Sequence, residues 1–267
     1  MGNNREQRTQ AGKPLYIETH IKASMERVWE LSQNPQQHPR WDLRFSRIVP
    51  IAEDEQGQLR FRYEFRLPLH TIRGTGTSLG HRQRADGQAS SVLKFTTSDP
   101  LSPIGPGAGY WRYIPTDHGV RFITGYNYVP GMSLVGKLLD TSVIRPALGW
   151  ATALSFDRMR LWAESDVDPT VSRNRWFIDV GSRAAGALTG FGLLRRAQSI
   201  RHPLLATMGM AAIAMSLFAK PHDGVPQARR CLRRAPDALS ARVPSALADL
   251  PAPDQVVSAT GDQEDRT

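Results

Sequence analysis

The stretch Leu59–Leu67, LRFRYEFRL, decides the fold class of this chain. Its odd-numbered positions are apolar or aromatic and its even-numbered positions are charged, which is the period of a strand with one buried and one solvated face. Antiparallel sheets commonly have one dry and one wet face, whereas strands of parallel sheets are apolar on both. The stretch therefore predicts an antiparallel sheet whose buried face carries aromatic side chains.

Similar strand patterns lie on both sides of this stretch. Leu15–Ile21 alternates in the same way, and pairs such as His118-Gly119 favour tight turns between later segments. Counting segments by the strand and turn rules predicts a meander of about seven strands. The remaining predicted strands are Phe45–Ala52, His70–Arg84, Ser90–Thr97, Gly109–Pro115 and Val120–Val129, with Asp86-Gly87 as a further turn.

Helical patterns flank the strands. Ser24 is predicted to cap a short helix, and Pro35 ends or redirects it. From Ser133 to Trp162, apolar residues recur at helical spacing. Pro146 lies inside this segment, where a proline removes a backbone donor and clashes with the preceding turn, so we predict a kink or two abutting helices.

These patterns predict one α+β domain over residues 14–165, a curved antiparallel sheet around a long C-terminal helix, after a flexible N-terminus at 1–13. The chain has 267 residues, of which 40% are hydrophobic. That length suits one sizeable core with an extension, because single cores stop growing at about 250 to 300 residues.

The first part of this domain carries a distinctive series of residues: Ile17, Ile21, Ala23, Met25, Val28, Trp29, Pro35, His38 and the pair Trp41-Asp42. With the order of strands and closing helix, the series resembles the SRPBCC superfamily, which includes START lipid-transfer domains, birch-pollen-allergen-like proteins and polyketide cyclases. The resemblance covers about residues 14–165. It implies the helix-grip fold, with a cavity between the sheet and the last helix for lipids, polyketides, steroids or other apolar molecules.

Candidate ligand-binding residues are those expected to face this cavity. Such sites are mostly apolar, and a few polar groups orient the ligand. Plain core packing is the alternative role for the same side chains, since buried aromatic residues usually serve the core. The candidates are Phe61, Tyr63, Phe65, Tyr113, Phe122, Thr124, Tyr126, Tyr128, Leu138 and Leu154.

No residues form a recognisable catalytic or metal-binding pattern in the sequence. The acid–base candidates are Asp42, His70, Arg73 and His81, and none has an evident orienting partner. The seven histidines are scattered, without the spacing of a metal site. We therefore expect no metal or other cofactor, and we favour a non-catalytic role.

Two glycine-containing stretches invite functional interpretations. Gly74, Gly76 and Gly80 lie in a strand pattern with no helix after them, so a bulge or a close backbone approach is favoured over a phosphate loop. Gly105–Gly109, beside Pro103, is predicted as a loop, with a lid over the cavity mouth or a simple connector as alternatives.

Residues 170–220 are predicted to form a helical extension. Trp176–Leu194 is rich in glycine, and Pro203–Ala219 is a run of 17 residues without a charge. A spanning helix needs about 20 apolar residues, and glycines permit close helix packing in lipid. A membrane hairpin, a single pass through 203–219 and a docked helical pair all remain open.

The positive charge of the chain is concentrated in the same region. Residues 171–235 contain 11 basic and 2 acidic side chains, and the formal net charge of the whole chain is +9. Because this charge coincides with the longest apolar run, the candidate partner of 171–235 is an anionic membrane surface, and no nucleic acid is expected. Phosphate binding and a solvated, disordered stretch are the alternatives for the cluster Arg229, Arg230, Arg233 and Arg234.

The tail and the single cysteine complete the prediction. Residues 221–267, basic and then acidic, are predicted to be disordered. Cys231 is the single cysteine, so an intramolecular disulfide is excluded. The segment Met1–Lys13 lacks the apolar core of a secretory signal. We therefore expect a cytoplasmic location, with membrane association as a candidate. The predicted function is binding or carriage of a hydrophobic small molecule. A cyclase-like or dehydratase-like enzyme and a membrane-tethered interaction protein are the alternatives.

Overall fold

In the computed structural model, which describes residues 12–81 and 87–253, seven strands form one antiparallel sheet. The strands are β1 Leu15–Ile21, β2 Arg47–Glu53, β3 Gln58–Leu67, β4 His70–His81, β5 Ala89–Thr96, β6 Ile104–Thr116 and β7 Gly119–Pro130. They lie in the order β1-β7-β6-β5-β4-β3-β2, so β2 to β7 form a meander and β1 pairs with β7. The predicted antiparallel meander is confirmed.

The largest difference from the predicted strands is at the start of β6. The stretch expected as the loop Gly105–Gly109 belongs to this strand, which begins at Ile104 and pairs with β7 after a register shift before Gly107. Backbone pairing to β7 therefore decides its conformation, and the lid hypothesis for this stretch is wrong. The predicted residues Arg82–Arg84 and Asp86 lie outside the described residues.

The helices of the domain are α1 Met25–Gln33, α2 His38–Trp41, α3 Ser133–Leu139 and α4 Arg145–Ser165. Ser24 caps α1 by accepting a hydrogen bond from the backbone N–H of Arg27, at 3.2 Å. A π-helical turn, Asp140–Ile144, separates α3 from α4, and Pro146 lies in the first turn of α4. The predicted interruption at this proline is confirmed as two abutting helices.

Helix α4 lies across the concave face of the sheet and completes the core. Phe156 and Met159 on α4 are fully buried, and the Phe156 ring stacks on Phe122 of β7 with centroids 4.5 Å apart. Trp41 is also fully buried, and its indole N–H donates to the carbonyl of Leu31 at 2.8 Å. Burying each such side chain contributes about 1.5 to 3 kcal/mol, so α4 is held by packing along its length.

After α4 the chain forms an antiparallel hairpin of α5 Pro169–Ile200 and α6 Pro203–Phe218. The two helices meet at Gly190 and Gly209, where a Cβ on either residue would lie 2.7 Å from the carbonyl oxygen of the other. Glycine therefore permits the close approach, as predicted from the glycine content. Among the described residues, no helix combines the length and apolarity needed to span a membrane, and the 16-residue α6 does not meet the single-pass alternative for 203–219.

The segment 221–253 packs against the domain, where a disordered tail was expected. Leu232 exchanges backbone hydrogen bonds with Glu18 on the edge strand β1, each at 2.9 Å. Farther along, Leu250 follows the short helix α7 Ala246–Asp249 and is buried on the face of the sheet opposite α4. Composition missed this packing because it depends on partners more than 100 residues away. Residues 254–267 lie outside the described part of the chain.

Candidate functional site

A cavity of about 210 Å³ lies between the concave face of the sheet and α4. Alternate residues of the strands point into it because side chains along a strand alternate between faces. Leu148 and Ala151 of α4 close the opposite side. The aromatic residues that line the cavity are Phe45, Phe61, Tyr63, Phe65, Phe95, Tyr110, Trp111 and Tyr126.

Half of the predicted ligand-binding residues line this cavity. They are on β3, the strand whose alternation is clearest in the sequence, and on β7. The lining members are Phe61, Tyr63, Phe65, Thr124 and Tyr126. The predicted inward faces of both strands are therefore those that face the cavity.

Four other predicted residues are buried but do not line the cavity. Phe122 and Leu154 belong to the packed core. The Tyr113 hydroxyl lies 2.7 Å from Ser32 Oγ and from Gln33 Nε2, and Tyr128 donates to Asp140 Oδ1 at 2.7 Å. Alternation predicts the inward face of a strand but not how far along the strand the cavity extends. For these four residues the structure agrees with core packing, the alternative role given in the sequence analysis.

Leu138 is the fifth predicted residue that does not line the cavity. Its side chain is 80% exposed on α3. The predicted apolar stripe groups Leu138 with residues of α4, and the interruption was predicted at Pro146. The π-helical turn Asp140–Ile144 begins before that proline and separates α3 from α4. Leu138 therefore faces away from the interior.

Glycines opposite aromatic residues shape the sheet side of the cavity. Phe61 pairs with Gly76 and Tyr63 pairs with Gly74 across an unbroken β3–β4 register, and Phe95 pairs with Gly107 across β5–β6. A Cβ at any of these three glycines would overlap the facing ring. The rings therefore lie close over the neighbouring backbone. The close approach predicted for Gly74 and Gly76 is confirmed.

A buried cluster of three polar residues stands beside the cavity. Asp42, directly after α2, accepts hydrogen bonds from Arg44 Nε at 2.9 Å and Arg44 Nη2 at 2.6 Å. It also accepts one from His38 Nε2 at 3.0 Å. The Asp42 side chain has no exposed surface, whereas His38 and Arg44 both line the cavity. Asp42 and His38 were singled out from the sequence, whereas Arg44 was not, and the Asp-x-Arg spacing after Trp41 was the available signal for it.

The charges in this cluster follow from burial and pairing. Burial lowers the pKa of His38 and outweighs the hydrogen bond to Asp42, so the imidazole is neutral near pH 7. Burial alone would raise the pKa of Asp42, but the Arg44 guanidinium and the hydrogen bonds bring that pKa below its usual range. The cavity wall thus combines a neutral imidazole with a guanidinium oriented by a carboxylate.

Tyr126 adds a second polar group to the same wall. Its hydroxyl lies 2.9 Å from Thr152 Oγ1 on α4, and the Arg44 guanidinium carbon lies 5.3 Å from the centre of its ring. Burial raises the pKa of the Tyr126 phenol, so the hydroxyl stays protonated near pH 7. Arg44 and Tyr126 together can orient an oxygen atom of a bound molecule.

The other acid–base candidates lie elsewhere. His70 pairs with Asp99 at 2.7 Å and is part-exposed, while the Arg73 side chain is largely exposed on the solvent side of β4. His81 is exposed at the end of that strand. None of these three side chains lines the cavity. No group of histidine, cysteine, aspartate and glutamate residues suited to a metal ion occurs within residues 12–81 and 87–253.

Comparisons with known proteins extend these observations. No family model matches the chain. Over 159 residues, 59% of this chain, the sequence is 40% identical to the uncharacterized membrane protein YndG of Bacillus subtilis (strain 168). The match spans 59% of that protein, less than two thirds of its length.

Similar solved structures include a STAR-related lipid transfer protein from Xanthomonas axonopodis, with 16% identity, a TM-score of 0.42, and coverage of 54% of this chain and 81% of that one. They also include the Zhui aromatase/cyclase from Streptomyces sp. R1128, with 11% identity, a TM-score of 0.43, and coverage of 58% and 98%. Such scores carry no information about ligand or activity. From its own topology, an antiparallel seven-stranded sheet closed by α4, the domain has the helix-grip fold.

Proposed function

We propose that this protein binds and carries a hydrophobic small molecule in the cavity between the sheet and α4. The observation that carries the proposal is the aromatic cavity of about 210 Å³ next to a fully packed core. Protein interiors have few voids larger than a water molecule, so an apolar space of this size beside the core favours a bound molecule. A ligand that fills the cavity would supply the missing contacts.

The size and the polar wall favour a particular kind of ligand. The volume exceeds the roughly 150 Å³ of a cavity that binds benzene and is below the roughly 300 Å³ of the smallest drug-sized pockets. This range favours a molecule of about one or two rings or a short acyl chain. Arg44 and Tyr126 favour one oxygen-containing group at its end.

The one histidine found in the described cavity wall favours binding over acid–base catalysis. Among the described residues that line the cavity, His38 is the sole histidine, and its Nε2–H donates to Asp42. A general base needs a free lone pair within reach of the substrate proton and a pKa near the working pH. In this tautomer the free lone pair of the His38 ring is on Nδ1, and burial lowers the pKa of the ring, which makes it a weaker base than an ordinary histidine.

Filling the cavity tests this function. Ala151→Phe adds a ring to a residue of α4 that lines the cavity, and Ala147→Phe adds the same ring at an exposed position on the same helix. The full-length protein and both variants are extracted with organic solvent, and co-purified molecules are identified by mass spectrometry. We expect a small apolar molecule with the original protein and with Ala147→Phe only. Equal recovery from Ala151→Phe, or no molecule from the original protein, would contradict the proposal.

We propose further that the α5–α6 hairpin brings the domain to a membrane surface. Apolar side chains are exposed on both helices, including Phe177, Leu188, Phe191, Met208 and the 83% exposed Phe218. Soluble monomers rarely expose contiguous apolar patches of more than a few hundred Å², and larger ones mark partner or membrane contacts. The description of the Bacillus subtilis relative as a membrane protein supports this proposal.

Vesicle flotation tests the membrane contact. The variant Leu188→Ser, Phe191→Ser, Met208→Ser removes three exposed apolar side chains from the hairpin. The control variant removes three exposed apolar side chains elsewhere, with Ile51→Ser, Leu69→Ser and Val243→Ser. We expect the full chain and the control to float with phosphatidylcholine vesicles and the hairpin variant to remain at the bottom. Flotation of all three proteins, or of none, would refute the role of the hairpin.

A further inference from the structure

A second concave site lies at the base of the hairpin, away from the sheet-and-helix cavity. This groove, of about 910 Å³, is bounded by α4, α5, the end of α6 and the segment 225–234. Its apolar side consists of Trp150, Trp176, Leu217 and Phe218. The two indole rings are 5.9 Å apart and inclined by 60°. The groove is thus large enough for a lipid headgroup with the first part of an acyl chain.

The opposite rim of the groove is basic. It carries Arg229, Arg233 and Arg234, the groove arginines, whose side chains are exposed. Arg230, the fourth member of the predicted cluster, turns away and donates to Asp157 Oδ2 at 3.0 Å. The sequence cluster is therefore divided by the structure into one structural arginine and three that face the groove.

The one acidic residue that lines the groove in the described structure is already paired. Asp179 accepts hydrogen bonds from Arg183 Nε at 2.8 Å and from Nη2 at 3.2 Å. Arg183 also donates to the carbonyls of Ser216 and Ala219, at 3.0 and 2.8 Å, so it fastens the end of α6. The groove arginines therefore give the site a net positive charge.

We propose that this groove holds the phosphate of an anionic phospholipid against the groove arginines and the start of an acyl chain against Trp150 and Trp176. Guanidinium groups bind phosphate oxygens in pairs, and tryptophan is enriched at membrane–water interfaces. Trp176 also contacts Phe177, with ring centroids 5.2 Å apart, which connects the groove to the exposed apolar surface of the hairpin. The proposal rests on the membrane contact proposed above.

The charges along the hairpin place the groove at headgroup level. Between Arg183 and Arg195, α5 has no charged residue, and α6 has none along its length. This uncharged section of α5 is roughly 16 Å long at 1.5 Å per residue, about half of the 30 Å hydrocarbon core. The groove lies at one end of this section, and the turn arginines, Arg195, Arg196 and Arg201, lie at the other. Basic residues at both ends favour a hairpin that lies in one leaflet.

A monomeric lipid titration isolates the groove from general attraction to a charged surface. Dihexanoyl phosphatidylglycerol below its micelle concentration is titrated into the full chain by calorimetry, with dihexanoyl phosphatidylcholine and inorganic phosphate as separate arms. Two variants are matched in charge. In one variant the groove arginines are changed to glutamine, and in the other the turn arginines are changed to glutamine. We expect saturable binding of phosphatidylglycerol, at least about tenfold weaker in the groove variant and unchanged in the turn variant.

Several results would overturn the groove proposal. Equal binding of the two lipids would do so, as would phosphate binding as tight as that of phosphatidylglycerol. The same holds if the affinity for phosphatidylglycerol falls equally in both variants, or in the turn variant alone. Unfolding curves of both variants check that the fold is kept. The vesicle experiment with phosphatidylcholine separates the two proposals: if the full chain floats but the groove fails this titration, the hairpin contact stands and the groove assignment falls. If monomeric lipid binds as expected but no vesicle binds, the hairpin contact falls and the groove site stands.

Discussion

His38 shows how one residue links the cavity wall to the packing of the domain. Its imidazole stacks on Trp41 with ring centroids 5.0 Å apart and meets Trp111 edge-on at 4.9 Å. Its Nε2–H donates to Asp42, which fixes the orientation of the Arg44 guanidinium. A neutral histidine suits this aromatic surrounding, because a charged imidazolium would lose its hydration on burial.

The lowered pKa of His38 predicts a pH dependence of stability. Below the unfolded pKa of about 6.5, the unfolded chain binds a proton that the folded chain resists, so the free energy of unfolding falls as the pH falls from 7 to 5. The slope from one such group is at most about 1.4 kcal/mol per pH unit. His38→Gln is expected to show a shallower loss in urea unfolding, whereas His20→Gln, at an exposed position, is expected to keep the original slope.

A direct measurement of His38 covers the case in which His38→Gln does not fold. The imidazole signals of His38 in the original protein are followed by NMR as a function of pH. The ordinary pKa of a histidine is about 6.5, and the His38 signals are expected to remain those of a neutral ring when the pH falls below that value. Protonation of His38 at or above that value would contradict the predicted pH dependence.

Gly76 is the second residue whose environment makes a clear prediction. A methyl group there would overlap the Phe61 ring, which would have to move into the cavity. Gly76→Ala is therefore expected to lower the free energy of unfolding by about 1 to 3 kcal/mol and to weaken ligand retention. The matched control is Gly181→Ala on α5, where a Cβ meets nothing within 4 Å and alanine favours the helix by about 1 kcal/mol. Equal stability of the Gly76 variant and the original protein would show that the ring has room to yield.

At the level of secondary structure, the α5–α6 hairpin differs from the sheet domain in how it is held. The sheet has a buried core on α4, whereas the hairpin exposes apolar side chains and is held by its glycine contact and by Arg183. Elements with few buried contacts open locally at low free energy. The hairpin is therefore expected to exchange its amide hydrogens faster than α4 and the central strands of the sheet.

Arg183 tests this view of the hairpin. Arg183→Gln removes the donors to the carbonyls of Ser216 and Ala219, which leaves the last turn of α6 less well held. Losing about 1 kcal/mol of local stability would speed amide exchange in that turn about fivefold without a change in the sheet. Hydrogen exchange with mass spectrometry measures both regions, and Arg196→Gln at the other end of the hairpin serves as the control. Unchanged exchange near Ser216 would contradict the role of Arg183.

At the level of the whole molecule, the segment 221–253 joins parts of the domain that are distant in sequence. The Arg112 side chain of β6 donates to the carbonyl of Leu239 at 2.6 Å, and Arg121 of β7 donates to Ser240 Oγ at 2.9 Å. Leu250, with 3% of its surface exposed, packs with Val92 and Ile123 on the outer face of the sheet. The helix-grip domain thus has packed residues on the outer face of its sheet as well as the core and the cavity on the inner face.

Leu250 provides the test of this arrangement. Leu250→Ala is expected to lower the free energy of unfolding of the full chain by about 2 to 3 kcal/mol, because it deletes a buried side chain and leaves a cavity. Leu239→Ala is the control, since that side chain is 65% exposed and the backbone contact to Arg112 is kept. Denaturant unfolding measures both. Equal stability of the two variants would mean that the segment does not pack against the sheet in solution.

Most of the strands and their inward faces could be predicted from sequence alone, because alternation is a local property of the chain. Leu15–Ile21 is β1 without any difference, and the predicted inward residues Phe61, Tyr63 and Tyr126 do line the cavity. The interruption near Pro146 was equally local, since a proline acts on the turn that precedes it. The helix-grip fold follows from these local features and the order in which they occur.

Features that depend on partners distant in sequence could be recognised only in the folded structure. Whether an inward residue of the core also lines the cavity depends on what α4 places opposite it. Phe122 and Tyr126 both belong to the core on the same strand face, but only Tyr126 lines the cavity. The pairing of Arg44 with Asp42 and the course of residues 221–253 likewise depend on burial that no local pattern records. Folding brings such partners together through long-range contacts, and composition alone carries no information about which contacts form.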